Sequence, residues 1–321
     1  MSAWDTVVFL FQQTMFFAIP LLVVALGGMF SERGGVVNVA LEGIMIMGAF
    51  CVIFFITQMQ DVMSGQLLLI LALLISALAG MVFSLLHAYA SIHMKSDQVI
   101  SGTALNMLAP AFAIYVARMV QENGVQQVAF NNTFRIDSVP VLGDIPVIGP
   151  LLFQKTYITT YLGIAILLIS VFVLYRTRFG LRLRACGEHP QAAASVGVNV
   201  YKMRYSGVLL SGALGGIGGL IFVIPTSTNF NATVAGYGFL ALAVLIFGQW
   251  KPWRILLAAL FFGFFKTLAA SQSGTFLANL GIPTDFFKMV PYIATLIVLA
   301  FTSRKSQGPR ASGQPYDKGS R

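Results

Sequence analysis

Two ionisable side chains lie inside long apolar runs, Glu42 in GGVVNVALEGIMIMGAF and Lys266 in GFFKTLAAS. A charge at the centre of a bilayer costs at least about 2.5 kcal/mol, so each implies a partner or a hydrated path. Asn38 precedes Glu42 by one helical turn, which would set an amide and a carboxylate on one face, where they can bond ligand hydroxyls or base edges. Asn106, in SGTALNMLAP, adds a second amide, and Pro110 shortly after it suggests a kink that opens its helix. Asn38, Glu42, Asn106 and Lys266 are therefore the candidate substrate path. Structural roles compete with this reading. Glu42 can cap a neighbouring broken helix or pair with Lys266, Lys266 can snorkel toward an interface, and Asn106 can bond between helices. His87, His93 and His189 show no metal-ligand clustering, and no nucleophile stands beside a base, so neither a metal site nor a catalytic residue is assigned.

The scaffold for such residues must itself be apolar. Of 321 residues, 57% are hydrophobic and 10% charged, against about a quarter charged in soluble domains, which excludes an ordinary water-soluble fold. A spanning helix needs about 20 mostly apolar residues. Candidates lie near residues 6–30, 36–58, 66–92, 98–119, 156–175, 205–224, 235–250, 254–272 and 287–303. The fold class is thus an all-α polytopic transmembrane bundle of about nine spans, some of them broken or re-entrant, filling residues 1–303. The start, MSAWDTVVFL, lacks a basic region and a cleavage site, so the first run is expected to stay as a helix.

The net charge of +9 would suggest nucleic acid if the basic residues formed a stripe, but they sit in loops and tail, and the partner they imply is membrane lipid. With the N-terminus outside and spans alternating, all but five of the 20 Lys and Arg fall inside. The five are Arg118, Arg135, Lys155, Lys266 and Lys288. Two loops are long. The outer one, 120–155, contains VPVLGDIPVIGP and reads either as a plain connector or as a docking surface with a short interfacial element. The basic tail, 304–321, reads as disordered and cytoplasmic. Cys51 and Cys186 fall on different levels of the membrane, which argues against a disulfide.

The inner loop, 177–204, contains a helix too short to be stable alone. Pro190 and Gly197 bracket PQAAASV, proline suiting the first turn and glycine the position past the end. About two turns are marginal in water, so order must come from docking, on the membrane domain or on another protein, and Ala192 and Ala193 allow close approach. A basic loop lying on anionic headgroups would need only Arg182, Arg184 and their neighbours. Gly187, Glu188 and Pro190 define a turn and helix start that headgroup binding does not require.

Three stretches, GGVVNVALEGIMIMGAF (34–50), RACGEHPQAAASVGVNV (184–200) and GYGFLALAVLIFGQWKP (236–252), make the chain resemble permease subunits of bacterial ABC importers for simple sugars and nucleosides. This is the branch that includes the ribose-type permeases, and the Asn-Val-Ala-Leu-Glu-Gly run is closest to the nucleoside, guanosine-like group. The resemblance implies a type II importer-like permease in the bacterial inner membrane. It also implies a second, paralogous permease beside this one, a cytoplasmic ATPase with two nucleotide-binding domains that binds ATP and Mg, and an external lipid-anchored or periplasmic binding protein. The ligand would be a nucleoside or simple sugar. Arg184, Gly187, Glu188, Pro190, Ala192, Ala193 and Gly197 would couple the chain to the ATPase. No G-x-x-x-x-G-K-[ST] loop is present, so the chain is expected to be no enzyme and to carry no cofactor. The rival reading is a self-sufficient secondary transporter or channel driven by a proton through Glu42; a polytopic membrane enzyme would need a catalytic cluster that is not seen.

Overall fold

A computed structural model describes residues 3–63, 65–121, 124–131, 134–271, 283–302 and 308–319. Long uncharged runs become helices because a helix pairs its own N–H and C=O groups where no water can. In chain order these are α1 (Ala3–Arg33), α2 (Leu41–Met59), α3 (Gln66–Ala88) continued by a π-helical turn at Tyr89–His93, and α4 (Gln98–Val120). Next come α5 (Ile158–Arg176), α6 (Arg178–Glu188), α7 (Pro190–Ser195), α8 (Val200–Thr226), α9 (Tyr237–Phe247), α10 (Pro252–Ser271) and α11 (Thr284–Thr302).

Every expected apolar stretch coincides with a helix. Among the described residues, seven helices are long and apolar enough to cross a bilayer: α1, α2, α3, α4, α5, α8 and α10. The two expected stretches outside this set are the 19-residue α11 and α9, whose 11 residues reach only about 16 Å, roughly half of a hydrocarbon core. The stretch expected at 36–58 is also shorter, since residues 34–40 are not helical.

At the centre of the bundle α8 packs on α1, α2 and α3. Its stripe of small residues lets backbones approach where side chains would hold them apart. Ser76 Oγ on α3 donates to the Gly216 carbonyl at 2.5 Å, and a Cβ on Gly216 would collide with the Ser76 carbonyl. Sheet is confined to short pieces. β1 (Val128–Ala129) pairs antiparallel with β4 (Asn229–Phe230), and β2 (Ile136–Ser138) with β3 (Gln154–Thr156). The 120–155 loop is therefore more than a plain connector. It carries a π turn at Gly149–Phe153, and Gln12 Nε2 of α1 donates to Pro150 O and Gln154 O at 2.7 and 3.1 Å.

The tail corrects the expectation of disorder, because residues 308–319 lie against the end of the bundle where Arg33 and Arg176 close their helices. Ala311 N donates to Gly187 O at 2.8 Å, and Arg204 Nη1 donates to Gln314 O at 2.8 Å. The Tyr316 ring is 5% exposed, edge-on to Tyr201 at 5.3 Å. Lys95 Nζ meets Asp317 Oδ2 at 2.9 Å and holds that carboxyl below its ordinary value. Polar composition argued for disorder, but one aromatic side chain and one buried guanidinium in need of an acceptor outweigh it.

The α3–α8 contact leads to a first prediction. Gly216→Leu should separate the two helices at a cost of about 1–3 kcal/mol and lower the unfolding midpoint of the purified protein in detergent. An unchanged midpoint would mean that the close approach contributes nothing to stability.

Candidate functional site

Two interruptions of helix, at 34–40 and ahead of α9, expose backbone groups inside the bundle, and Asn38, Glu42 and Asn106, singled out from sequence, are among the side chains that satisfy them. In the first, Ser31 Oγ donates to Val36 O at 2.7 Å, Gln98 Oε1 accepts from Val37 N at 2.7 Å, and His87 Nε2 lies 2.9 Å from Val37 O. Asn106 serves both edges of the segment, its Nδ2 donating to Val39 O at 2.9 Å and its Oδ1 accepting from Gly43 N at 2.7 Å. Asn38 Oδ1 accepts from Ala40 N at 3.2 Å while its Nδ2 donates to Ser211 Oγ of α8 at 2.8 Å. Each freed amide or carbonyl would otherwise cost about 1–3 kcal/mol.

Glu42 performs the same service for α9. Its Oε1 accepts from Gly236 N at 2.9 Å and its Oε2 from Gly238 N at 2.6 Å, so a carboxylate covers the positive end of a helix that begins inside the bundle. Gly236 has φ +77°, and a Cβ on Gly238 would run into the α2 backbone at Leu41 and Glu42. The other end of α9 is fixed by buried Glu32, whose Oε2 accepts from Trp250 Nε1 at 2.6 Å, and by Arg33 Nη2, which donates to Trp250 O at 3.0 Å. Each of the two interruptions is thus held from the side by charged or amide groups.

The structure brings Asn38, Glu42 and Asn106 together around the start of α2, but not on one helical face, because Asn38 precedes the helix. Of the roles weighed for Glu42, capping a neighbouring helix is the one observed. The pairing with Lys266 is not formed. Lys266 Nζ instead stands 5.4 Å over the Tyr237 ring, one residue past Gly236, and among the described residues no ion pair reaches it.

At the basic end, α6 and α7 form a shoulder. Thr177 Oγ1 caps α6 by accepting from Gly180 N at 3.1 Å. Pro190 opens α7 and Gly197 follows it with φ +84°, as the spacing predicts. Pro190 and Ala193 are buried, whereas Ala192 and Gly197 are exposed and Val196 is 78% exposed, so the short helix has a docked face and a free one. Its docked face rests on this chain itself, with Ala193 clustered with Cys186, Val200 and Tyr316. Burial pushes the Cys186 thiol up to about 11, leaving it an inert packing group. Glu188 Oε1 approaches Arg33 Nη1 at 3.7 Å, Gly187 abuts the Arg33 carbonyl, and Arg184 lies 5.3 Å from the Tyr175 ring centroid.

Sequence reading missed Glu32, His87, Gln98, Ser211 and Trp250. Glu32 escaped because it ends a helix beside Arg33, where acids are commonly solvated. The non-helical 34–40 segment, with its Gly-Gly start, was the available signal that such partners are needed.

Comparison with known proteins accords with this architecture. Residues 10–299 match the family model described as branched-chain amino acid transport system, permease component. The chain is 42% identical over 320 residues, 99% of each chain, to the nucleoside ABC transporter permease protein NupC of Lactococcus lactis subsp. cremoris. It is 44% identical over 310 residues, 96% of each chain, to the guanosine ABC transporter permease protein NupQ of Bacillus subtilis. The nucleoside ABC transporter permease protein NupB of the same Lactococcus is 24% identical over 319 residues, 94% of this chain and 83% of that one. A multi-pass bundle with helices broken around buried polar residues, matched along nearly its whole length, thus belongs to the family of branched-chain amino acid transport system permease components.

Proposed function

We propose that the chain is the membrane subunit of an ATP-binding-cassette importer that carries nucleosides across the bacterial plasma membrane. The observation that carries this reading is the nearly end-to-end likeness to permeases named for nucleoside and guanosine transport. The N-terminus lies outside and the basic end faces the cytoplasm, as the distribution of Lys and Arg favours. A separate ATPase with two nucleotide-binding domains supplies ATP hydrolysis with Mg, an external binding protein delivers the ligand, and a paralogous permease completes the membrane pore.

The ATPase seats on the free face of α7, around Ala192, Val196 and Gly197. Arg184, Gly187, Glu188, Pro190 and Ala193 hold that face in place from behind. Motion imposed there reaches α1 through Glu188 and Arg33, then the end of α9 through Arg33 and Trp250. Because α9 starts at the Glu42 carboxylate, the same motion bears on the break where Asn38, Glu42 and Asn106 meet. These three line the path through the backbone they hold, and Lys266 lines it nearer the outer end.

Reconstitution tests the whole reading. Vesicles holding the complete complex should take up nucleoside only when ATP is supplied, and uptake by this chain alone along an ion gradient would refute it. Pro190→Gly or Glu188→Lys should leave membrane insertion intact while ATP hydrolysis no longer drives uptake; transport at the unmodified rate would remove the shoulder from the coupling mechanism. Glu42→Ala should strip two amides of their acceptor, destabilise the start of α9 by a few kcal/mol and abolish uptake, whereas Glu42→Gln, which keeps one acceptor oxygen, should recover part of it. Equal behaviour of the two variants would separate Glu42 from the α9 start.

A further inference from the structure

Above the break held by Glu42 lies a cavity of about 490 Å³, bounded by α1, the end of α8, the start of α9, and by α10 and α11. Its walls carry the rings of Phe16, Phe17, Phe222 and Tyr237, with Thr226 and Lys266 as polar members. The Phe222 and Tyr237 rings pack against each other, 4.1 Å apart between centroids with planes 36° apart, and the half-buried Phe16 and Phe17 rings line the cavity beside them. A second cavity of about 630 Å³ opens at the start of α1 and shares Gln13 with the first.

Two polar groups in this wall have no counterpart. Tyr237 is 2% exposed and its hydroxyl is buried without a hydrogen-bond partner among the described residues, a state that costs about 1–3 kcal/mol. Lys266 keeps its ammonium at the face of the same ring, with no carboxylate beside it among the described residues. Lys288 at the rim is already bound to Asp285 at 2.9 Å, so it adds little free charge. The volume suits a small organic solute, and the chemistry narrows it. An acyl chain would fill the space but leave both polar groups unsatisfied. A multiply charged anion would meet one half-buried cation among the described residues, Lys266, since Lys288 is exposed and shared with Asp285. A neutral solute with a flat face and acceptor atoms on its edges satisfies rings, ammonium and hydroxyl together.

We propose that this cavity is a transport site for the nucleoside, with the base against the rings of Phe16 and Phe17 and its acceptor edge toward the Lys266 ammonium and the Tyr237 hydroxyl. The assignment rests on the nucleoside-importer reading and adds to it a place and a set of contacts. Glu42 acts as a positioning residue for the site, since it fixes Gly236 and Gly238 on either side of Tyr237.

A photoactivatable azido-nucleoside, offered to the unmodified intact complex in vesicles and mapped by mass spectrometry after illumination, tests the site without altering the fold. Label should fall on the peptides that contain Phe16, Phe222 or Tyr237, and excess nucleoside should compete it away. Tyr237→Phe should slow nucleoside uptake about threefold to tenfold and Lys266→Met about tenfold. Labelling confined to other helices, or uptake unimpaired in both variants, overturns the cavity while leaving the importer reading in place. A complete complex that carries no nucleoside overturns both.

Discussion

Inside a bilayer an amide that leaves a helix has no water to bond, and this one constraint governs how the bundle is built. Wherever the chain departs from helix, at 34–40 and before α9, a side chain from another segment has been placed to receive or supply the missing hydrogen bond. The buried polar residues are thus tied to the irregular backbone, and their positions follow from it. Removing one of them strands a peptide group more than it removes a contact.

The same economy links the two ends of the molecule. Glu42 binds the start of α9 to α2, and Glu32 and Arg33 bind the turn after α9 to α1. Arg33 in turn faces Glu188 at the shoulder formed by α6 and α7. The half-length α9 thus ties α2 to α1 through its two ends, whereas the full-length α8 is wedged by glycine contacts along its length.

Much of this was legible in the residues. Composition and apolar run length gave the helical bundle, and Pro190 with Gly197 marked α7 to within a residue. Glu42 and Asn106 were recognisable as groups that need partners, and capping a broken helix was among the roles open to Glu42. Its actual partners were out of reach, because Gly236 and Gly238 are nearly two hundred positions away and donate through backbone that carries no sequence signature. The pairing with Lys266, one of the alternatives that opposite charges suggest, is not formed because two peptide N–H groups already occupy the carboxylate. The docking partner of α7 was likewise half seen. The need for a support was evident from its length, but that part of the support is Tyr316, in a tail of low-complexity appearance, depended on long-range packing.

Arg204 is made early and meets its carbonyl acceptor late. Its guanidinium is 1% exposed within α8, and the carbonyl it donates to belongs to Gln314, 110 positions further along. While the ribosome is still producing the intervening chain, that cation sits in an unfinished socket. Removing the tail would take that acceptor away and leave a buried cation at this end of α8 with less to bond, which destabilises the fold.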